Sequence, residues 1–244
     1  MTSLTLIAAV FLLAGFVKGV IGMGLPTVGV GLLGLMLSPA QAAAIIVVPS
    51  LVTNVWQAFA GGALREVAGR LWPMLVGICL GTWLGVLALP AAQGGEATVW
   101  LGIALAVYAI FGLCNLHFKT PPRHEGWIGV IVGLATGVVS FATAIFTIPG
   151  VPFMQSLGLD RDRLVQALGL SFTTSTVALA VALSHSGEMN MGVLVPSLAA
   201  LAASLIGMAV GQKVRGLASP KTFRLCFFIG LLALGAHLVL RGLL

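Results

Sequence analysis

Long apolar runs separated by short polar breaks occupy nearly the whole chain. Uninterrupted runs lie near 40–61, 71–90, 97–116, 163–184, 190–212 and 222–240. Each is wide enough for a helix to cross roughly 30 Å of hydrocarbon, which takes about 20 apolar residues. Two further apolar stretches, 4–37 and 126–156, are broken by Gly and Pro, which disfavour a helix interior. The pattern predicts an all-α polytopic membrane protein.

The two broken stretches resemble each other. The first contains GFVKGVIGMGLPT from Gly15 to Thr27; the second contains GLATGVVSFATAIFTIP from Gly133 to Pro149. The likeness extends further. Leu37-Ser-Pro-Ala-Gln41 leads into a helix through Thr53, Asn54 and Val55, and Leu159-Asp-Arg-Asp-Arg163 leads into one through Ser175, Thr176 and Val177, 122 residues later. Pro73 followed by Gly77, Gly81 and Gly85 is echoed by Pro196 followed by Ala203, Gly207 and Gly211. The chain therefore reads as two membrane repeats, 1–120 and 121–244, joined through the polar stretch 117–125. Each repeat holds one broken segment and three full helices.

Composition agrees with this class. Of 244 residues, 59% are hydrophobic and 7% charged, too few charges to keep the surface of a soluble protein polar. No Lys or Arg precedes the apolar stretch 4–17, so it does not read as a secretory signal. Cys79, Cys114 and Cys226 stand singly within predicted helices, which indicates neither a metal site nor a disulfide framework. The net charge of +6 does not point to nucleic acid, because the basic residues flank the spans. Trp72, Trp100 and Trp127 near span ends fit an interfacial belt.

Charge decides how the broken segments run. If each crossed once, Arg65, Arg70, Lys119, Arg123 and Arg241 would face Arg161, Arg163, Lys213, Arg215, Lys221 and Arg224 across the membrane. That even division satisfies no orientation. If each is a hairpin that enters and leaves on one side, ten of the twelve basic residues share a face, leaving Lys18 in the membrane and Arg241 at the other face. The positive-inside rule selects the hairpins. Each half then makes three net crossings, so the halves are inverted relative to each other and both termini lie outside a cytoplasmic (cell inner) membrane. Inverted repeats with interrupted helices are a recurrent transporter architecture.

Candidate binding residues follow from the hairpins. The returning arms are expected to start near Pro26 and Thr27, and near Pro149, since proline suits a first helical position. Their N-terminal amides would point an anion-attracting dipole end at the protein centre, with Gly22 and Gly24 allowing close approach. Lys18 is the single charged residue deep in a predicted segment and a functional candidate on that ground; its repeat counterpart is Thr136. Thr143 and Thr147 line the second break. Asn54 and Gln57, with Thr53, and Thr173, Thr174, Ser175 and Thr176 mark matching regions of the following helices. Such residues also join membrane helices by hydrogen bonds. The Gly77/Gly81/Gly85 and Gly207/Gly211 series read as close-packing faces, and His237 as a buried structural histidine.

The GFVKGVIGMGLP element, the following SPAQAAA helix, and the repetition of both resemble the TauE/SafE family of sulfite exporter-like permeases. The resemblance covers essentially the whole chain. It implies movement of a small sulfur-containing anion such as sulfite or an organosulfonate. The second copy has Ser140-Phe-Ala-Thr143 where the first has its glycine cluster, so the first hairpin is expected to make the main anion contact.

The reading that results is a secondary transporter (permease) working by alternating access, with no cofactor or metal. No Walker A pattern occurs, so coupling would be to an ion gradient, protons being the natural guess, or to the substrate alone. No HExxH or GxSxG occurs to suggest an embedded enzyme. An anion channel or a membrane subunit of a larger complex stays open as the alternative, as does a homo-oligomer.

Overall fold

The structure, a computed structural model, describes residues 4–89, 95–114, 119–215 and 220–243. The described residues form ten α-helices: α1 Leu4–Ile21, α2 Leu25–Leu33, α3 Pro39–Phe59, α4 Leu64–Ala88, α5 Gly95–Cys114, α6 Glu125–Thr143, α7 Gly150–Ser156, α8 Arg161–His185, α9 Leu194–Val214 and α10 Pro220–Leu243. Short 3-10 turns at Pro122–His124 and Met191–Val193 precede α6 and α9. Eight helices, all except α2 and α7, are long and apolar enough to cross a membrane.

The predicted runs return as helices with shifted ends. The 71–90 run starts seven residues early, at Leu64, because helix-forming Leu64, Arg65 and Glu66 extend it past the apolar part. Residue 90, positions 115–116 of the 97–116 run and residues 117–118 of the polar connection lie outside the described residues.

Both broken segments divide into two arms of unequal length. The first arms are long, 18 residues in α1 and 19 in α6, and only the return arms are short, 9 residues in α2 and 7 in α7. At 1.5 Å per residue, α1 and α6 reach about 27–29 Å, nearly the hydrocarbon thickness. The breaks occur where the backbone turns left-handed: φ is 82° at Gly22, 104° at Gly24 and 55° at Ala144. Glycine takes this conformation without steric cost, which explains the glycine pair in the first copy. Pro26 sits in the first turn of α2 as expected, whereas Pro149 occupies the cap position and α7 begins at Gly150.

The helices that follow the breaks start alike. Ser38 caps α3, its side chain accepting from Gln41 N at 3.2 Å, and Asp160 caps α8, accepting from Arg163 N at 2.9 Å. These helices form the centre: 67% of the span residues of α3 and 56% of those of α8 are buried, against 22% in α10.

Four helix pairs dominate the packing: α1 with α9, α4 with α6, α3 with α8, and α5 with α10. Exchanging the halves maps this set onto itself. The small-residue series make the approaches close, as their spacing predicts. A Cβ at Gly81 would come within 2.1 Å of Leu134 O, and one at Gly207 within 2.1 Å of Leu12 O. The contacts also give direction. Gly207 meets Leu12 and Phe16 while Gly211 meets Phe16 and Gly19, so α1 and α9 run parallel. Gly133 meets Met74 and Gly137 meets Ile78 and Thr82, so α4 and α6 run parallel too. Gly95 meets Gly242 and Gly102 meets Gly235 and Val239, making α5 and α10 antiparallel. Gly61 meets Gln166 and Gly169 meets Gln57 and Ala58, making α3 and α8 antiparallel.

The tryptophans Trp72, Trp100 and Trp127 are exposed, in keeping with an interfacial belt. His237 departs from expectation: it is exposed on α10, because that peripheral helix buries few of its residues.

Candidate functional site

The site begins at the C-terminal turn of α1. Lys18 is 4% exposed, and its ammonium donates to Thr53 Oγ1 at 3.0 Å and to Asn54 Oδ1, both on α3. Thr53 Oγ1 donates onward to Pro49 O at 2.7 Å. Its proton is therefore engaged, and a lone pair is left for the ammonium. The six acidic residues, Glu66, Glu96, Glu125, Asp160, Asp162 and Glu188, all stand at or beyond helix ends. The Lys18 amine is thus buried and held by neutral oxygens alone, so an ammonium there would carry its charge unpaired. Taking such a charge out of water is costly unless a counter-charge or full hydrogen bonding compensates.

Among the described residues, several other buried polar side-chain atoms have no partner. On the first half these are Thr27 Oγ1 at the start of α2, and Ser50 Oγ and Asn54 Nδ2 on α3. Asn54 therefore turns its oxygen to Lys18 and leaves its amide nitrogen, a donor, unused. The second half carries Thr147 Oγ1 in the α6–α7 break and Ser171 Oγ and Ser175 Oγ on α8. Phe146 and Phe172, neighbours of Thr147 and Ser171, meet with ring centroids 6.4 Å apart, which docks that break on α8. Buried polar atoms normally find partners, so these atoms, on α2, the second break and the two central helices, are available to water or to a polar ligand. On the first half, Lys18, Asn54 Nδ2 and the hydroxyls of Thr27 and Ser50 can all donate, which suits an anion.

The other expected residues have different positions. Gly22 has open space beside its Cα, while Gly24 packs near Val17 and Phe227. Pro26 is buried in α2, whose cap Gly24 offers no side-chain acceptor to the first-turn amides. Gln57 Nε2 is occupied by Gly22 O and Val165 O, each at 3.0 Å. Thr143 donates to Val139 O at 2.7 Å and accepts from Ile145 N at 3.2 Å, shaping the second break. Thr173 and Thr176 donate within α8, to Gly169 O at 2.7 Å and Phe172 O at 2.6 Å. Thr136, the counterpart of Lys18, donates to Val132 O at 2.7 Å. Pro149 caps α7 and offers no donor.

Ser50 and Ser171 escaped the sequence reading. The signal was available: each lies four residues before a polar group already singled out, Asn54 or Ser175, and so on the same helix face. Among the described residues no cluster of His, Cys, Asp or Glu could hold a metal ion.

The family description Sulfite exporter TauE/SafE matches residues 7–238, nearly the whole chain. No curated protein and no solved structure matches it.

Proposed function

We propose that this chain, which belongs to the TauE/SafE sulfite exporter family, is a secondary transporter that moves a small sulfur-containing anion, sulfite or an organosulfonate, past Lys18. The observation that carries the proposal is the Lys18 ammonium, buried and held only by neutral oxygens beside an unused Asn54 amide. An anion there would supply the missing counter-charge. Two unit charges about 4 Å apart attract by about 4 kcal/mol at an effective dielectric near 20.

The directions of the packed helices support inverted halves. Let α3 run toward the basic face. Then α4, joined through residues 60–63, runs back from it and α5 toward it. Antiparallel packing makes α10 leave that face, so α9 approaches it and α8 leaves it. The antiparallel contact of α3 with α8 agrees. Parallel packing gives α6 the direction of α4 and α1 that of α9. Every element then opposes its counterpart, and α1 and α3 run the same way. The short α2 segment must bring the chain back, which is a hairpin. Contacts at each face agree with this arrangement: Glu125 pairs with Arg70 at 2.6 Å on the basic face, and Arg241 donates to Leu35 O on the other.

Alternating access follows as the mechanism, with the two halves moving about α3 and α8 so that Lys18 opens to one face and then the other. The test is uptake of labelled sulfite into liposomes, competed by sulfonates and by carboxylates. Wild-type protein should give saturable flux that sulfonates inhibit, and Lys18→Ala should lower it at least tenfold. Unchanged flux in Lys18→Ala would remove Lys18 from the mechanism.

A further inference from the structure

We infer that Gln57 and Gln166 form the gate that closes the site toward the basic face; the inference rests on the transport reading above. The two side chains cross in opposite senses between α3 and α8. Gln57, on α3, donates to Val165 O of α8 and to Gly22 O of the first break, each at 3.0 Å. Gln166, on α8, donates to Ala58 O of α3 at 2.9 Å and accepts from Ala63 N at 3.0 Å. Both are buried, at 7% and 1% exposure. One latch thus ties the end of α3, the start of α8 and the tip of the first hairpin.

Its position is what makes it a gate. On one side a cavity of about 350 Å³ is lined by Ala60, Gly61, Gly62, Asp162, Val165 and Gln166. These are the α3–α4 connection and the first turns of α8, at the basic face. Gln166 is both a wall of the cavity and a member of the latch. On the other side lies the site: Gly22 follows Lys18 by four residues, and Gln57 follows Asn54 by three, each about one helical turn. Ala60 follows Asn54 by six residues, so an anion in the cavity would lie nearly two turns, about 9 Å along α3, from the Lys18 contact, with the glutamines between.

The chemistry suits opening. The latch consists of side-chain amides on backbone atoms, which water can replace when the helices part. Its third anchor, Gly22, has nothing within 4 Å of where a Cβ would be, so the hairpin tip has room to shift. Outside it, Arg163 of α8 meets Glu66 of α4 at 3.0 Å, a pair too exposed to hold the face shut.

The experiment reads accessibility and needs no substrate. Cys79, Cys114 and Cys226 are replaced by Ala, and Ser50→Cys, one turn beyond Asn54 from the latch, becomes the reporter. A membrane-impermeant thiol reagent is applied from either face of vesicles. Replacing both latch residues, Gln57→Leu with Gln166→Leu, should raise labelling from the basic face at least tenfold and leave labelling from the other face unchanged or lower. An unchanged rate from the basic face would overturn the gate. So would equal rises from both faces, which mark general loosening. Should the double variant fail to fold, the converse experiment decides: a reversible cross-link between Gly61→Cys and Gln166→Cys, in the background free of other cysteines, should abolish sulfite flux until reduced. Undiminished flux through cross-linked protein would overturn the proposal. Accessibility that responds in a protein showing no sulfite flux would instead refute the substrate reading and leave the gate standing.

Discussion

Lys18 on α1 reaches Asn54 on α3 across 36 residues of sequence, and the amide that meets it is neutral. The hydrogen bond fixes the ammonium without neutralising it. A carboxylate at residue 54 would have made an internal ion pair and left nothing for an anion to complete.

That relationship can be inverted by one atom. Asn54→Asp keeps the shape of the side chain but gives Lys18 a counter-charge of its own. The variant should fold, because the new charge is paired, while its sulfite affinity falls at least tenfold. Equilibrium binding of labelled sulfite to detergent-solubilised protein checks this. Undiminished affinity would show that the anion does not sit beside Lys18.

Close helix contact gives a stability prediction. A Cβ at Gly81 would come within 2.1 Å of Leu134 O, a backbone atom that cannot move aside alone. Gly81→Val should therefore destabilise the α4–α6 pair by about 3 kcal/mol, the upper part of the range for overpacking. Gly126→Ala is the control: nothing lies within 4 Å of that position, and helix propensity favours alanine there. Thermal unfolding in detergent should separate the two, with a clear fall in Tm for the first and none for the second.

Topology is testable without transport. Arg65→Cys and Arg161→Cys, each placed in a background free of other cysteines, should react with an impermeant thiol reagent from the same face. If the broken segments crossed once each, the two positions would react from opposite faces.

Much of the fold was legible in the sequence because a membrane imposes a simple rule on it. Backbone groups in hydrocarbon must be satisfied within a helix, so apolar length alone marks the spans. The breaks were legible for the same reason: Gly22, Gly24 and Pro26 in an apolar stretch have few other uses. What periodicity could not give was the length of each arm. The chain turns at Gly22 only after 18 helical residues of α1, and the matching arm α6 runs 19. The site was legible in part. Lys18 stood out as a charge among apolar residues, and Asn54 stood beside it as a polar group on a membrane helix. Ser50 and Ser171 were passed over because a lone serine in a membrane helix commonly bonds its own backbone. Their place one turn before Asn54 and Ser175 was the available signal, and their unpartnered state is what the structure adds.

The sequence alone determined the class of this protein and singled out Lys18, because both follow from one-dimensional facts: hydropathy, and a lysine where lipid or protein must surround it. The tertiary structure decided what that lysine meets. It turned Asn54 toward Lys18, engaged Gln57 with Gly22 and Val165, and left a set of hydroxyls without partners. These outcomes depend on helices far apart in the chain coming within hydrogen-bond reach. Glycine contacts such as Gly169 on Gln57 and Ala58 bring α8 and α3 together. No local pattern specifies which polar group will face which.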